Sequence, residues 1–301
     1  MSRRTLLSAA VGPLAALTLL SLGVAPHAVA DSTVRSEDAT AVAVIAHRGA
    51  SAAAPENTLE AVDTAHDMGV RWVENDVQRT KDGELVVLHD TNLARTTDVE
   101  QVFPDRAPWN LRDFTLAEIE KLDAGSWKGA QWTGARVPTL EQYMNRVEDN
   151  HQALVLEIKA PELYPGIEKE VLRELKALGW LDSGHVRAKL VIQSFSADCI
   201  RTVHELRPDV KTGFLGKPAV ADLPKYTPFA DQINTWAADA AYYDAVHALT
   251  GPHRRPLQNY TWTIDDPAQA VSLAKAGADG IITNRPDAVT EALEEAGYVV
   301  P

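Results

Sequence analysis

The segment Val42-Ala43-Val44-Ile45-Ala46-His47 is a short apolar run rich in β-branched residues, a pattern that favours a buried strand. A helix-period segment follows at residues 58–68 and stops at Gly69, and glycine commonly ends helices. A second apolar run occupies residues 71–78. This succession predicts two neighbouring parallel strands, joined by a helix that covers one face of the sheet.

The same alternation continues along the chain, with a second helical stretch at residues 167–178 that stops at Gly179. Eight candidate strands are predicted, at residues 42–47, 71–78, 153–159, 189–195, 211–215, 232–235, 260–264 and 280–283. Eight parallel strands that alternate with helices predict an α/β fold, a (β/α)8 TIM barrel, in one domain over residues 42–301. Functional side chains in such barrels lie at the carboxyl ends of the strands.

An extra strand is predicted at residues 84–90, directly after the turn dipeptide Asp-Gly at residues 82–83. If these two residues form the whole turn, paired residue numbers sum to 165, and His89 lies opposite Asp76. Directly opposed residues share a face of the sheet, and so do residues two apart on one strand. The hairpin should therefore bring His89, Asp76 and Glu74 together.

Residues 91–137 do not continue the alternation of strand and helix. They contain many turn residues, one helical stretch at residues 116–122, and the tryptophans Trp109, Trp127 and Trp132. We expect this segment to form a small insertion that rises over the mouth of the barrel, after the extra hairpin strand.

The first thirty residues are predicted to be a signal peptide of the twin-arginine type. Arg3 and Arg4 precede an apolar run at residues 14–25, and small residues at positions 28 and 30 offer a cleavage site. The alternative is an uncleaved membrane anchor, but the apolar run is shorter than the roughly 20 residues that span a bilayer. We therefore expect a secreted protein without stable membrane insertion, with a flexible lead-in at residues 31–41.

Charge and cysteine content narrow the class of protein. The formal net charge is −13 and the isoelectric point is about 5.1, so long-range electrostatics disfavour a nucleic-acid partner. An anionic substrate must then be held by a local positive site. Cys199 is the only cysteine, which excludes an internal disulfide.

Carboxylates near the ends of two predicted strands indicate a metal site. Glu74 and Asp76 share one face of the second strand, and Glu157 and Lys159 share one face of the strand at residues 153–159. The all-oxygen set of Glu74, Asp76 and Glu157 favours one divalent cation, Ca²⁺ or Mg²⁺, over zinc. The alternatives are carboxylates salt-bridged at the barrel rim and an internal ion pair between Glu157 and Lys159.

Two histidines and an arginine lie where a barrel concentrates its reactive groups. His47 and His89 each end a predicted strand, so one can accept a proton from a nucleophile while the other protonates a leaving alcohol. Alternatively, one of them ligates a metal or orients another group. Arg48 can bind phosphate oxygens in a bidentate manner. The other candidates are Lys159 for the phosphate, Glu56, Phe195 and Trp262 for substrate contact, and Asn57 or Thr58 as the cap of the first helix.

An ordered set of motifs along the chain resembles the glycerophosphodiester phosphodiesterase family. The motifs are His47-Arg48-Gly49, Pro55-Glu56-Asn57-Thr58, Glu74-Asn75-Asp76-Val77-Gln78, Lys81-Asp82-Gly83, Val86-Val87-Leu88-His89-Asp90, Leu122-Asp123-Ala124-Gly125-Ser126-Trp127, Val137-Pro138-Thr139-Leu140-Glu141, Glu157-Ile158-Lys159, Ser194-Phe195, Trp262-Thr263 and Ile281-Ile282-Thr283-Asn284-Arg285-Pro286. The resemblance implies a TIM barrel with a small insertion, and hydrolysis of glycerophosphodiesters to glycerol phosphate and an alcohol. It also implies roles for seven residues: His47 and His89 as the acid/base pair, Arg48 and Lys159 as phosphate ligands, and Glu74, Asp76 and Glu157 as metal ligands.

Two positions depart from the family's usual pattern. Asn75 stands between the two metal-binding acids, where an apolar residue is common, and should point towards the helices. Asn284 stands where an aspartate is common, at the end of the last strand.

Three other functions remain open at this point. A related enzyme on the same scaffold would cut lysophospholipids in the manner of a phospholipase D, and an apolar channel lined by Trp109, Trp127 or Trp132 would favour it. An exported binding protein would capture phosphodiesters without cleaving them, although binding alone does not need His47 and His89. A metal-dependent hydrolase of another ester is the third.

Overall fold

The structure, a computed structural model, describes residues 41–301. The predicted signal peptide at residues 1–30 and all but the last residue of the predicted lead-in lie outside the described residues. No helix within residues 41–301 is long and apolar enough to cross a membrane.

Eight parallel strands form a nearly closed barrel, as predicted, and a further strand, β3, pairs antiparallel with β2. The strands are β1 (Ala43–Ala46), β2 (Trp72–Arg79), β3 (Leu85–Val87), β4 (Ala153–Ile158), β5 (Leu190–Ser194), β6 (Lys211–Leu215), β7 (Gln232–Asn234), β8 (Tyr260–Thr261) and β9 (Gly280–Thr283). The order around the barrel is β7-β6-β5-β4-β2-β1-β9-β8. Single hydrogen bonds link β7 to β8, such as that from the Trp262 N–H to the Thr235 carbonyl oxygen at 3.1 Å.

Helices follow most of the strands, except that a turn alone joins β2 to β3 and only a 3-10 helix, Val220–Lys225, lies between β6 and β7. They are α1 (Leu59–Asp67), α2 (Val99–Val102), α3 (Leu116–Ile119), α4 (Leu140–Asp149), α5 (Ile167–Ala177), α6 (Ser183–Ala188), α7 (Ala197–Leu206), α8 (Ala240–His247), α9 (Pro267–Ala276) and α10 (Pro286–Glu295). Thr58 caps α1, because its hydroxyl oxygen accepts a hydrogen bond from the Ala61 N–H at 3.3 Å. The cap was predicted to be Asn57 or Thr58, and Asn57 has another role described below.

Alternate residues of the strands divide between two buried layers. Ile45, Val155 and Ile282 belong to a cluster inside the barrel, while Leu154 and Leu156 belong to a larger one that includes residues of the surrounding helices. Side chains of a strand alternate between its faces. Glu157 therefore shares the inner face with Val155, so the only acidic residue of β4 points into the barrel.

The predicted register of the β2–β3 hairpin is wrong by one residue. Val77 pairs with Val87 and Gln78 with Val86, so paired numbers sum to 164 rather than 165. The physical reason is a longer loop: the Thr80 N–H donates to the Glu84 carbonyl oxygen at 2.9 Å, which leaves three residues in the turn. Gly83, at φ +95°, takes the left-handed position that such a loop requires.

Residues 91–137 contain α2, α3 and short 3-10 turns, and no strand of the barrel lies among them. Their apolar side chains form a separate buried cluster with Val86 and Leu88 of the hairpin; its other members include Leu93, Val99, Leu111, Phe114, Ile119 and Leu122. The segment is therefore held against the extra hairpin strand, beside the end of β2 that carries the acidic residues.

Candidate active site

Three buried carboxylates meet inside the barrel, towards the carboxyl ends of β2 and β4. The register of these strands pairs Asp76 with Glu157, and Glu74 lies two residues earlier on the same face. One oxygen from each of the three lies within 4.8 Å of the others. The structure thus brings together the three predicted metal ligands from two separate strands.

Two cationic side chains contact this acidic cluster. The Arg48 Nε lies 3.4 Å from Asp76 Oδ2, and the Lys159 Nζ lies 3.0 Å from Glu157 Oε1. Burial and the charges of Asp76 and Glu157 raise the pKa of Glu74 well above its usual value, and burial also raises the pKa of Glu157. Despite burial, Lys159 and Arg48 hold the pKa of Asp76 below its usual range. Burial and mutual repulsion thus disfavour charge on Glu74 and Glu157, whereas the two cations favour charge on Asp76.

The donor set of this cluster fits a divalent cation. Asp76 Oδ1 and Glu157 Oε1 are buried, and their contacts to Lys159 Nζ, at 3.5 and 3.0 Å, lack hydrogen-bond geometry. One ammonium group leaves these buried oxygens incompletely satisfied, and a bound cation would satisfy them. Carboxylate oxygens are the ligands that Ca²⁺ and Mg²⁺ prefer. Glu74, Asp76 and Glu157 are the residues that would hold such an ion.

His47 is oriented by an amide side chain from the last strand. Its Nδ1 lies 2.7 Å from Asn284 Oδ1, and the Asn284 Nδ2 donates in turn to Asp265 Oδ2 at 2.7 Å. The bond to Asp265 fixes the amide orientation, so the His47 Nδ1 carries the proton and its Nε2 is left as an acceptor. Burial and the charge of Arg48 lower the pKa of His47 to about 4, which keeps the ring neutral near pH 7.

His89 is positioned by contacts beyond the end of β3. The buried Gln78 amide donates to the carbonyl oxygens of Leu88 at 2.6 Å and Asp90 at 2.9 Å, and so fixes the segment that contains His89. The His89 Nδ1 lies 2.6 Å from Asp90 Oδ1. His89 thus lines the same cavity as Glu74, although the predicted pairing with Asp76 does not occur.

Arg95, from the segment at residues 91–137, connects the two sides of the site. Its guanidinium donates to Glu56 at 2.9 and 2.7 Å and to Asp90 at 2.5 Å. Glu56 in turn accepts from Arg48 at 2.9 Å, while Asp90 contacts His89. Both oxygens of Glu56, a predicted substrate contact, are therefore bonded to arginines. This network holds Arg48 and His89 relative to one another.

Asn57 supports the acidic cluster directly. Its side-chain Nδ2 donates to Asp76 Oδ2 at 2.9 Å, and the residue has a positive φ of 60°. Sequence reasoning gave Asn57 only a possible capping role, whereas the structure shows it orienting a carboxylate of the candidate metal site.

Aromatic side chains form one wall of the cavity. The Phe195 and Trp262 rings meet edge to face with centroids 5.4 Å apart, and Lys159 Nζ lies 5.4 Å from the Phe195 centroid. Trp236, which the sequence analysis did not single out, packs against Trp262 at 6.0 Å and is half exposed. This wall can contact carbon atoms of a substrate whose charged group lies near Lys159.

Two adjoining cavities share His47 and Arg48. One, of about 90 Å³, is lined by both histidines, Glu74, Glu157, Lys159 and the aromatic wall. The other, of about 450 Å³, also contacts Glu56, Trp127, Lys128, Asp265 and Asn284. Of the three tryptophans considered for an apolar channel, only Trp127 lines these cavities; the Trp109 indole donates to the Phe103 carbonyl oxygen within the insertion.

The backbone at Arg48 and Gly49 is folded tightly against α1. Both residues have positive φ, 58° and 78°, and a Cβ at Gly49 would lie 2.6 Å from the Ala61 carbonyl carbon. The turn directs the Arg48 N–H to Glu74 Oε2, at 3.0 Å. Only glycine permits this approach, so the turn aims both the side chain and the amide of Arg48 at the acidic cluster.

We expect Gly49→Ala to lower the free energy of unfolding by about 2 kcal/mol or more, because backbone strain and a steric clash coincide. Activity should fall as well, since His47 and Arg48 must shift. Urea unfolding measures the first effect. Gly69→Ala is the matched control: Gly69 has φ 77° but nothing within 4 Å of its Cβ position. Equal losses of stability in the two variants would contradict the argument.

Several of the contacts that orient the site carry no readable signal in the sequence. Arg95 lies 39 residues from Glu56, and Asn284 lies 237 residues from His47. Asp265 was not considered, although its place shortly after a predicted strand was a weak indication of a role near the barrel mouth.

Comparison with known proteins agrees with this geometry. Residues 47–288 match the sequence profile of the glycerophosphoryl diester phosphodiesterase family. The chain is 34% identical over 256 residues to a glycerophosphodiester phosphodiesterase of Caldanaerobacter subterraneus, in an alignment that covers 84% of this chain and 98% of that one. It is 33% identical to a glycerophosphodiester phosphodiesterase of Bacillus subtilis, with 90% and 94% of the two chains covered.

Solved structures show the same relationship. A phosphodiesterase of Oleispira antarctica, in complex with the product sn-glycerol-3-phosphate, is 27% identical and superimposes with a TM-score of 0.71. That alignment covers 84% of this chain and 96% of the other. The family profile matches most of the chain, and the alignments to relatives of about one third identity cover nearly the whole length of each relative. This protein is therefore an enzyme of the glycerophosphodiester phosphodiesterase family.

Proposed function

We propose that this protein hydrolyses glycerophosphodiesters to glycerol phosphate and an alcohol, with a divalent cation and the histidine pair His47 and His89. One observation carries the proposal: both histidines, the cations Arg48 and Lys159, and two carboxylates of the acidic cluster line a single cavity, and the third carboxylate, Asp76, lies within 4.8 Å of the other two. The Oleispira relative, solved with sn-glycerol-3-phosphate, supports a phosphate ester of this size as the ligand.

Glu74, Asp76 and Glu157 would hold one Ca²⁺ or Mg²⁺ ion. When bound, such an ion withdraws negative charge from a phosphoryl oxygen and lowers the pKa of an adjacent hydroxyl or water. The acidic cluster cannot bind a phosphodiester anion alone, because its own charge would repel the substrate.

Arg48 and Lys159 supply the anion-binding part of the site. Both already contact Asp76, at 3.4 and 3.5 Å, so they lie at the edge of the acidic cluster and face the cavity. The planar guanidinium of Arg48 suits two phosphoryl oxygens, and the ammonium of Lys159 acts as a point charge. These contacts orient the phosphorus atom between the two histidines.

We assign the two histidines opposite directions of proton transfer. His47 is neutral with a free Nε2 acceptor, so it can take a proton from the attacking hydroxyl or water. Burial and the charges of Arg48 and Lys159 lower the pKa of His89, while the Asp90 carboxylate at its Nδ1 acts the other way and stabilises the imidazolium that would donate a proton to the leaving alcohol. Attack by a substrate hydroxyl and attack by water both require these two transfers.

A substrate panel tests the proposal on the purified enzyme. Glycerophosphocholine, glycerophosphoethanolamine, a lysophosphatidylcholine and a carboxyl ester are assayed with chelator, with Ca²⁺ and with Mg²⁺. We expect turnover of the two glycerophosphodiesters, and a loss of about a hundredfold or more when the metal is chelated.

Three other results would each contradict the proposal. Cleavage of the lysophospholipid alone would indicate a lysophospholipase D-like enzyme, and cleavage of the carboxyl ester alone another class of hydrolase. Saturable binding of glycerophosphocholine without turnover in any metal would indicate a binding protein.

A further inference from the structure

A second cavity lies at the opposite end of the barrel from the histidines. Its volume is about 840 Å³, and Lys211, Asp231, Tyr260 and Asp279 line it. These residues stand at or just before the amino ends of β6, β7, β8 and β9. On β6, Lys211 lines this cavity and Leu215 lines the active-site cavity, so about 13 Å of strand separates the two sites.

The carboxylates of this cavity are already bonded to protein groups. Asp231 contacts the His253 Nδ1 at 2.7 Å and the Thr212 N–H at 3.0 Å. Asp279 contacts the His247 Nε2 at 2.9 Å. The third, Asp209, accepts two hydrogen bonds from Arg207, at 2.9 and 2.8 Å. None of them is bonded to the lysine or the arginines that line the cavity.

The cations of the cavity have no such partners. Within residues 41–301, Arg187, Lys211 and Arg255 take part in no salt bridge, and Lys211 donates only to the Arg187 carbonyl oxygen, at 3.1 Å. Burial and the nearby charge of Arg255 lower the pKa of Lys211, although Asp231 opposes this. Cationic side chains that share one cavity and form no salt bridge have donors available to an anion.

We propose that this cavity binds a small dianion of the phosphate class, a second anion site separate from the active site. Arg187 and Arg255 offer planar guanidinium groups suited to phosphoryl oxygens, and the Lys211 ammonium, at the start of β6, offers a point charge. His253 adds a buried Nε2 that has no hydrogen-bond partner within the described residues; since its Nδ1 donates to Asp231, this Nε2 can accept the P–O–H proton of a phosphate group. The volume exceeds that of inorganic phosphate, so a phosphate monoester fits, with its carbon atoms against Leu257 and Pro256.

Isothermal titration of the full-length folded enzyme with inorganic phosphate, in the presence of chelator, tests this proposal. sn-Glycerol 3-phosphate serves as a second probe that distinguishes a phosphate monoester from free phosphate. We expect saturable binding that weakens about tenfold or more in the double variant Lys211→Met, Arg255→Gln, because each charged contact to an anion is worth about one order of magnitude. Turnover of glycerophosphocholine should stay unchanged in this variant.

Arg254→Gln is the matched control, since it removes the same charge one residue outside the cavity lining. Its phosphate affinity should stay within about twofold of wild type. If the double variant unfolds, Arg255→Gln alone gives the test, because Arg255 is exposed. No saturable binding in wild type, equal affinity in wild type and cavity variants, or equal weakening by Arg254→Gln would each overturn the proposal. Because phosphate binding is measured without turnover, a negative result would rule out the second anion site without bearing on the proposed hydrolysis.

Discussion

His47→Ala and His89→Ala each lower kcat for glycerophosphodiester hydrolysis by about 10²- to 10⁴-fold, the range expected when a proton-transfer group is removed. His47 Nε2 is the free acceptor of a neutral ring, and His89 is held by Asp90 beside the same cavity. Without either of these side chains, solvent must carry out one of the two proton transfers. The effect should appear in kcat more than in KM, because Arg48 and Lys159 still bind the phosphate.

The measurement is steady-state kinetics on glycerophosphocholine, together with thermal unfolding to establish that each variant is folded. His66→Ala is the control, since His66 lies on α1 with its side chain half exposed and lines neither active-site cavity. Near-normal turnover in both active-site variants would end the assignment of the histidines as the acid/base pair.

Glu74→Gln should abolish the stabilisation that Ca²⁺ or Mg²⁺ gives, yet leave the metal-free protein about as stable as wild type. Without metal, burial and two neighbouring carboxylates raise the pKa of Glu74 well above its usual value, which favours the neutral carboxyl group. Glutamine has the same shape and is also neutral, so metal-free stability should change by less than about 1 kcal/mol.

Thermal unfolding with and without metal measures both parts of this prediction. In wild type, a metal concentration one hundred times the Kd should add about 2.7 kcal/mol to the free energy of unfolding. In Glu74→Gln this increment should vanish, together with most activity. Glu100→Gln, an exposed change in α2, should behave as wild type. If Glu74 instead served only to hold the rim together, the variant would be destabilised equally with and without metal.

The barrel could be predicted because each strand is a local pattern. The eight apolar runs and their spacing indicate strands without any knowledge of which strands pair. β6 and β9 begin and end at the predicted residues. The hairpin register was not predictable in the same way. Asp82-Gly83 indicates a turn, but the dipeptide does not reveal whether Lys81 pairs with Glu84 or joins the loop, as it does here.

The same distinction applies to the candidate site, because local sequence patterns identify only some of its residues. Glu74, Asp76 and Glu157 stand out because acids interrupt apolar strands, and the strand period places them on one face. The residues that orient the site do not stand out. Arg95 lies in the irregular insertion, and only tertiary structure brings it to Glu56 and Asp90. Local patterns therefore reveal the reacting groups, whereas the groups that position them depend on long-range packing.

Metal held by the acidic cluster should act with the histidine pair to cleave a glycerophosphodiester between the phosphate and the alcohol other than glycerol, which leaves glycerol phosphate. Phosphorus NMR of glycerophosphocholine incubated with the enzyme tests it most directly. With Ca²⁺ or Mg²⁺ present, the diester signal should be replaced by that of glycerol phosphate, and chelator should stop the conversion. A diester signal that persists in both metals, or a product that is choline phosphate instead of glycerol phosphate, would contradict the account.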